Sequence, residues 1–168
     1  MNLRIRDETT LDVPAITALT EAAFLNAPHT AHTEHYIVNA LRRAGQLTLS
    51  LVAEQAGAVV GHVALSPVTV SDGSPGWYGL GPISVLPALQ GQGIGSALVH
   101  AALDGLRARG AAGCVLVGDP AYYARFGFKP QPGLVYPGIP PEFFMALAFG
   151  FAVPQGSVVF HGAFGATA

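Results

Sequence analysis

The stretch that decides the fold reads Val85-Leu86-Pro87-Ala88-Leu89-Gln90-Gly91-Gln92-Gly93-Ile94-Gly95-Ser96-Ala97-Leu98. An apolar segment ends at Pro87, glycines follow at alternate positions, and an apolar helical pattern begins directly after them. Because glycine has no Cβ, the backbone can approach a ligand closely and point several N–H groups in one direction. Those donors would lie at a helix N-terminus, whose partial positive charge favours an anion. The stretch therefore predicts a pyrophosphate cradle built from main-chain groups, without a lysine or arginine.

The glycine spacing separates this loop from two other phosphate-binding motifs. A dinucleotide fingerprint of the form G-x-G-x-x-G would need a glycine where the chain has Ser96. A Walker A loop needs a Gly-Lys-Ser/Thr sequence, which the chain lacks. A glycine-rich turn that only lets a helix pack closely on a strand is the alternative to the cradle.

Composition limits the partners that the chain is expected to bind. Only 11% of its 168 residues are charged and 51% are hydrophobic, whereas about a quarter of residues are charged in an average domain. We therefore expect a compact single domain over residues 1–168, apolar enough at its surface to be compatible with a homodimer. The net charge is −2 and the basic residues are scattered, so no nucleic-acid footprint is present.

Cysteine usage and the N-terminus indicate a cytoplasmic protein. The single Cys114 excludes an internal disulfide and suits a reducing compartment. Its apolar, strand-like neighbours predict inert core rather than a nucleophile. Residues 1–8 carry charges without an apolar segment, so they do not form a signal peptide. No apolar run is long enough to span a bilayer, and no membrane partner is expected.

Hydrophobic periodicity predicts an α/β sandwich. Strands are predicted at residues 3–7, 47–54, 58–66, 77–85, 114–117, 143–149 and 157–160, and helices at 13–23, 34–44, 94–109 and 120–126. Residues 68–76 are predicted as a turn-rich link. This element order favours a mixed, mostly antiparallel central sheet. Pro82 lies inside a predicted strand and cannot donate to a ladder, so it implies a bulge or an edge strand there.

The glycine loop and its flanks resemble a known family. The pattern Gln90-x-x-Gly93-x-Gly95, preceded by Ile83-Ser84-Val85, resembles the acetyl-CoA loop of the GNAT superfamily of N-acetyltransferases, whose form is Gln/Arg-x-x-Gly-x-Gly/Ala. Further segments resemble the YhbS-like branch of that superfamily: Glu34-x-x-Ile37-Val38-x-x-Leu41-Arg42, Leu80-Gly81-Pro82-Ile83-Ser84-Val85, Gly118-Asp119-Pro120-x-Tyr122-Tyr123 and Gly156-x-Val158-x-Phe160.

The resemblance implies both a fold and an activity. It implies helices on both faces of the sheet, and middle strands that splay apart to admit the pantetheine arm of acetyl-CoA, the co-substrate. The main-chain N–H groups of Ile83 and Val85 would hold the thioester carbonyl and the pantetheine amide, which suits a carbonyl oxygen that gains charge during attack. The pyrophosphate would be lined by Gln90, Gly91, Gln92, Gly93, Ile94, Gly95 and Ser96. The implied reaction moves an acetyl group to a primary amine of a small molecule or peptide by direct attack.

The segment from Tyr123 to Phe128 resembles the family's Tyr-x-x-x-Gly-Phe element, whose tyrosine protonates the departing CoA thiolate. Tyr123 is the matching residue. A tyrosine pKa near 10 keeps the phenol protonated at neutral pH, so that it can donate to a thiolate. The alternative is that Tyr122 and Tyr123 are both packing aromatics; with the family pattern we assign packing to Tyr122 alone.

The general base is not identified by the resemblance. Some family members carry a glutamate four residues before the carbonyl-binding position, but this chain has Gly79 there. His62 and Glu34 are the candidates on other elements. A hydrogen-bonded buried histidine and a solvated helix-start glutamate are the structural alternatives. The missing acid also motivates a second function, a non-catalytic acyl-CoA-binding sensor or interaction module.

Three histidines, His29, His32 and His35, precede or begin the second predicted helix. Two of them are spaced i, i+3, but no cysteine or aspartate lies nearby to complete a metal site. We expect no bound metal, and assign this segment to the lining of the acceptor pocket.

Overall fold

The structure is a computed structural model that describes residues 2–150 and 152–168. Its helices are α1 (Val13–Phe24), α2 (Glu34–Arg43), α3 (Ile94–Ala108) and the one-turn α4 (Pro120–Tyr123). Its strands are β1 (Leu3–Asp7), β2 (Leu49–Gln55), β3 (Ala58–Val70), β4 (Trp77–Val85), β5 (Gly113–Val117), β6 (Leu134–Val135), β7 (Phe144–Ala148) and β8 (Gly156–Phe160). None of the helices described is long and apolar enough to cross a membrane.

The strands form a mixed, mostly antiparallel sheet, as the sequence predicted, and their order is β1-β2-β3-β4-β5-β7. Only β4 and β5 run parallel along this path. β8 pairs with the far end of β3, at Val68–Val70, and β6 runs parallel to β8. β8 and β6 therefore extend the sheet at the far end of β3.

Helices cover both faces of the sheet, as the resemblance implied. On β2, Leu51 and Ala53 join the core beneath α3, whereas Val52 packs with Ile16 of α1 and Val38 of α2. This alternation follows from the two-residue repeat of a strand, which sends successive side chains to opposite faces. The apolar core under α3 is larger than the apolar cluster under α1 and α2.

β4 and β5 splay apart. The two strands pair only at residues 77–79 of β4 and 113–115 of β5. Beyond that point β4 stays with β3 as far as Val85, and β5 stays with β7 as far as Val117. A gap in the sheet therefore opens beside the C-terminal half of β4, and this confirms the splayed middle strands.

Pro82 produces the bulge that the sequence predicted. Val63 of β3 lies opposite Ile83, while Leu65 lies opposite Leu80, so Gly81 and Pro82 together face one residue of β3. Proline has no N–H to give to the ladder, and a bulge removes the need for one. β4 is not an edge strand throughout, because β5 pairs with its first three residues, but at Pro82 only β3 pairs with it.

One prediction about the strands is wrong, and one strand was not predicted. Residues 68–70 belong to β3 rather than to a turn-rich link, because Val68 and Val70 pack into a second apolar cluster with Val158. β6 was not predicted, since two residues are too few to show a period. The other boundaries differ by a few residues at most, as element ends commonly do.

Candidate functional site

A cleft of about 350 Å³ lies between the end of β4, the start of α3 and the segment after β5. Its lining residues are Ile83, Val85, Leu89, Gln90, Gly91, Gly93, Ile94, Gly95, Ser96, Tyr122, Tyr123 and Arg125. The cleft therefore brings together nine of the ten residues that the sequence assigned to the site. Gln92 is the exception, because it is exposed in the loop and does not line the cleft.

The backbone of β4 turns polar groups toward the gap in the sheet. Leu86 donates its N–H to the Val60 carbonyl of β3 at 2.9 Å. Since N–H and C=O directions alternate along an antiparallel strand, the amides of Ile83 and Val85 point the opposite way, to the side that β5 has left. The Val85 carbonyl agrees with this direction, because it accepts a hydrogen bond of 3.2 Å from the Gln90 side chain.

The glycine loop leaves the first amides of α3 available. Gly91 and Gly93 have φ of +79° and +88°, a region that favours glycine. Gly93 occupies the N-cap position of α3, and no side chain caps the helix there. The N–H groups of the first turn therefore face the cleft without the usual serine or aspartate partner. Such a helix start attracts an anion.

Two residues of the segment after β5 cover this loop, and the sequence did not assign either of them to the site. A Cβ added at Gly95 would lie 3.3 Å from the Tyr122 hydroxyl oxygen, so the third glycine allows Tyr122 to approach. Arg125 stacks over the Tyr122 ring at 4.3 Å and donates to the Tyr122 carbonyl at 2.8 Å. Arg125 also lines the cleft, so a guanidinium lies in the site in addition to the main-chain groups that the sequence predicted. Only the fold brings the segment of Tyr122 and Arg125 to the glycine loop, so no local pattern could have indicated these two residues.

Tyr123 is fixed at the inner end of the same segment. Asp119 caps α4 by accepting from Ala121 N at 2.9 Å. A Cβ added at Gly118 would lie 2.5 Å from the Tyr123 ring, so this glycine makes room for the aromatic side chain. Burial raises the pKa of Tyr123 to about 12, and Tyr122 and Asp119 add to the shift. The phenol is therefore protonated at neutral pH and is able to donate a proton into the cleft.

The position where some family members carry an acid has no room for a side chain. A Cβ added at Gly79 would lie 2.5 Å from the Phe160 ring and 3.3 Å from Val68. The missing glutamate is therefore replaced by aromatic packing from β8.

The two candidate bases lie outside the cleft. His62 is fully buried on β3, on the face covered by α1 and α2, and its Nε2 lies 2.7 Å from the Ser50 hydroxyl. Burial lowers the pKa of His62 to about 4; the neighbouring Glu8 opposes this shift and Arg42 adds to it. Glu34 accepts from the Thr30 hydroxyl at 2.6 Å. The hydrogen-bonded buried histidine is thus found at His62, whereas Glu34 differs from a solvated glutamate because one of its oxygens is buried and the other accepts from Thr30.

A second cavity of about 220 Å³ lies between α1 and α2. It is lined by Glu21, Phe24, Leu25, His32, Glu34 and His35. The structure therefore brings two of the three histidines together with two carboxylates. His35 Nε2 lies 3.8 Å from Glu21 Oε2. Within residues 2–150 and 152–168, no three metal-ligating side chains are grouped closely enough to hold an ion.

Cys114 is fully buried in β5 and does not line the cleft. Burial raises the pKa of its thiol well above the usual range. A thiol that stays protonated and out of reach does not act as a nucleophile.

The parted strands, the glycine cradle and the buried tyrosine define the acetyltransferase class that the sequence resembled. The family model described as "Acetyltransferase (GNAT) family" matches residues 13–128. The chain belongs to the GNAT acetyltransferase family.

Three similar proteins agree with this placement. The uncharacterized N-acetyltransferase YhbS of Escherichia coli strain K12 is 42% identical over 126 residues, which cover 74% of this chain and 72% of that protein. The crystal structure of YhbS from Escherichia coli in complex with CoA has a TM-score of 0.89 at 35% identity, covering 98% of this chain and 93% of that one. The crystal structure of a GNAT family acetyltransferase from Brucella melitensis in complex with acetyl-CoA has a TM-score of 0.87 at 50% identity. The match covers 97% of this chain and 98% of that one.

Proposed function

We propose that this protein transfers the acetyl group of acetyl-CoA to a primary amine by direct attack. The observation that carries the proposal is the cleft itself, in which an uncapped helix start, two inward-facing strand amides and a protonated tyrosine share one wall. The relatives from Brucella melitensis and Escherichia coli, crystallised with acetyl-CoA and CoA, support the choice of co-substrate.

The parts of the cleft have distinct tasks in the proposed reaction. The amides of residues 91–96 and the Arg125 guanidinium bind the diphosphate. The amides of Ile83 and Val85 bind the pantetheine amide and the thioester carbonyl, whose oxygen gains negative charge as the amine adds. Tyr123 donates its proton to the sulfur as the carbon–sulfur bond breaks, so that CoA leaves as a thiol.

An amine is the acceptor that the charges favour. Following the expectation for residues 26–35, we assign the acceptor to the cavity between α1 and α2, which carries the Glu21 and Glu34 carboxylates beside His32 and His35. Negative lining attracts a cationic ammonium group and repels an anionic acceptor. A small-molecule amine and a peptide amine both satisfy this requirement.

The test is to measure the turnover of a Tyr123→Phe variant with acetyl-CoA and a panel of primary amines, using the release of the CoA thiol as the assay. We expect kcat to fall by about 100-fold or more, the usual contribution of a general acid, while calorimetry shows the same acetyl-CoA affinity. Tyr136→Phe is the control, because Tyr136 packs on Phe144 and Phe160 away from the cleft. Equal losses of turnover and affinity would contradict the acid role.

The absence of a side chain at Gly79 favours one other function, a non-catalytic acyl-CoA sensor. Acetyl-CoA would then raise the melting temperature of the wild-type protein without thiol release for any amine in the panel. That outcome would replace the transferase proposal.

A further inference from the structure

The hydroxyl group of Tyr122 lies at the start of α3, inside the cleft. A Cβ added at Gly95 would lie 3.3 Å from the Tyr122 hydroxyl oxygen and 3.8 Å from a side-chain carbon of Val85. The hydroxyl is therefore close to the second residue of α3, where the N–H groups of the first helical turn have no partner within the helix. Gly95, Val85 and Tyr122 all line the cleft.

Gly95 differs in its backbone from the other two glycines of the loop. Gly91 and Gly93 have positive φ, which favours glycine, whereas Gly95 lies within α3 and does not. Alanine is a more favourable residue than glycine in a helix, so backbone conformation does not explain the glycine at this position. Space explains it, because a methyl group here would press on the Tyr122 hydroxyl.

The Tyr122 ring is held in place from three sides by protein contacts. The Arg125 guanidinium stacks over the ring at 4.3 Å from its centroid. The Tyr123 ring meets it edge-on, with centroids 4.9 Å apart and an interplanar angle of 88°, and the Phe126 ring packs against it at 5.5 Å. A side chain fixed in this way loses little further freedom when its hydroxyl contacts a ligand, and this favours binding.

The hydroxyl is the polar group of Tyr122 that the protein leaves free. The main-chain N–H of Tyr122 donates to the Asp119 carbonyl at 3.1 Å, and the Tyr122 carbonyl accepts from Arg125 Nε at 2.8 Å. Within residues 2–150 and 152–168 the phenol hydroxyl has no hydrogen-bond partner. Its proton is therefore available to an acceptor that enters the cleft.

The charges around the hydroxyl favour an anionic acceptor. Of the described residues that line the cleft, Arg125 is the only one with a full charge, and none carries a carboxylate. The start of α3 adds the partial positive charge of a helix N-terminus. A phenol donor, a guanidinium and uncapped helical amides in one cleft suit a diphosphate, whose oxygens accept several hydrogen bonds at once.

We infer that the Tyr122 hydroxyl donates a hydrogen bond to the diphosphate of the coenzyme, and that Gly95 is the positioning residue that admits it; this inference rests on the proposed function. Tyr122 is then a binding residue in addition to a packing one. The two neighbouring tyrosines have separate tasks, because Tyr122 holds the phosphates whereas Tyr123 supplies the proton to the sulfur. The loss of the Tyr122 hydroxyl should therefore change how tightly the coenzyme binds and leave the rate of the chemical step unchanged.

Tyr122→Phe tests the hydroxyl alone, because phenylalanine keeps the ring that packs on Arg125 and Tyr123. Calorimetric titration with CoA should give a Kd at least about tenfold above the wild-type value, since a hydrogen bond to a charged group is one of the stronger kinds. Tyr136→Phe also removes a phenol hydroxyl, but outside the cleft, and it should bind CoA as the wild type does. Tyr122→Phe that binds CoA as tightly as the wild type would refute the inference.

Dephospho-CoA identifies which phosphate the hydroxyl contacts, because it keeps the diphosphate and lacks only the phosphate on the ribose. We expect Tyr122→Phe to weaken the binding of CoA and of dephospho-CoA by the same factor. If the variant and the wild type bind dephospho-CoA equally well, the hydroxyl contacts the ribose phosphate and the inference is wrong.

Gly95→Ala is a second variant, which acts on the position of the hydroxyl. The added methyl group should displace the hydroxyl and weaken CoA binding severalfold, while alanine keeps the helix intact. In the Tyr122→Phe background there is no hydroxyl to displace, so the double variant should bind CoA no more weakly than Tyr122→Phe alone. The same further loss in both backgrounds would mean that the methyl group meets the coenzyme directly, which would contradict the positioning role of Gly95.

Kinetics separate this binding role from a structural one. With acetyl-CoA and a reactive amine, Tyr122→Phe should raise KM about tenfold and keep kcat within about twofold of the wild-type value. Its kcat/KM for acetyl-pantetheine, which has no diphosphate, should equal that of the wild type. A fall in kcat like that expected for Tyr123→Phe, or an equal loss with acetyl-pantetheine, would mean that the hydroxyl supports Tyr123 and not the diphosphate, and the inference would be wrong.

The outcomes distinguish this inference from the transferase function. If the wild type releases thiol with an amine but Tyr122→Phe binds CoA equally well, the role of Tyr122 is wrong and the transferase function stands. If the wild type binds CoA yet releases thiol with no amine, the transferase function fails, and the calorimetric comparisons still decide the role of Tyr122.

Discussion

The stability of this protein should depend on the proton that His62 cannot bind when the chain is folded. Burial lowers the pKa of His62 from 6.5 to about 4. Between these values the unfolded chain binds a proton that the folded chain refuses, so the free energy of unfolding falls as the pH is lowered. Each tenfold change in a protonation constant is worth about 1.4 kcal/mol. The wild type should therefore lose about 2–3 kcal/mol between about pH 7 and pH 4.5 from this residue alone.

The perturbation that isolates this contribution is His62→Gln, which keeps a donor near the Ser50 oxygen and does not titrate. The single tryptophan, Trp77, is buried and reports unfolding by fluorescence. Urea unfolding at several values between about pH 7 and pH 4.5 gives the free energy for both proteins. We expect the wild-type curve to fall more steeply, by about 2–3 kcal/mol over this range. Carboxylates contribute mainly below about pH 4.5 and do so in both proteins. Parallel curves would refute the desolvated histidine.

Two further substitutions test the packing of β8 against β4 and the ion pair between Arg6 and Asp12. Gly79→Ala should lower the free energy of unfolding by about 1–3 kcal/mol, because the added methyl group would meet the Phe160 ring. Gly162→Ala is the control, since Gly162 has open space around it, and it should change the thermal unfolding of the protein little. Asp12→Asn should cost about 1–3 kcal/mol at neutral pH by removing the charge that accepts two hydrogen bonds from Arg6. Arg6 holds the pKa of Asp12 well below its usual range. The difference in unfolding free energy between wild type and Asp12→Asn should therefore have its full size above about pH 5 and shrink as the pH falls below about 4. A difference that stays constant in acid would contradict the ion pair.

The parts of the fold that could be read from sequence are those with a local cause. The glycine spacing and the apolar run after it define the loop and α3, because backbone conformation and helix periodicity are properties of neighbouring residues. Pro82 predicted its bulge because a missing N–H is visible in the residue type. β6 escaped prediction because two residues carry no period.

The parts of the site that escaped prediction depend on tertiary contacts. Tyr122 approaches Gly95 and Arg125 lines the same cleft only because the segment after β5 folds back over the glycine loop. The contact between His62 and Ser50 requires the register of β2 against β3. A one-residue slip would send each side chain to the opposite face, and no single-sequence pattern fixes that register.

The central claim is that the glycine loop at the start of α3 holds the diphosphate of the coenzyme. Calorimetric titration with CoA and with pantetheine, which lacks the diphosphate, tests it directly on the wild type, Gly93→Ala and Gly57→Ala. Gly93 and Gly57 both have positive φ and open space around them, so the two variants carry a similar backbone penalty. We predict that the wild type and Gly57→Ala bind CoA with the same affinity. Gly93→Ala should bind CoA at least about tenfold more weakly, which corresponds to about 1.4 kcal/mol of binding free energy. Pantetheine should give no comparable heat of binding. Equal binding of CoA and pantetheine, or no CoA binding by folded wild-type protein, would contradict the account.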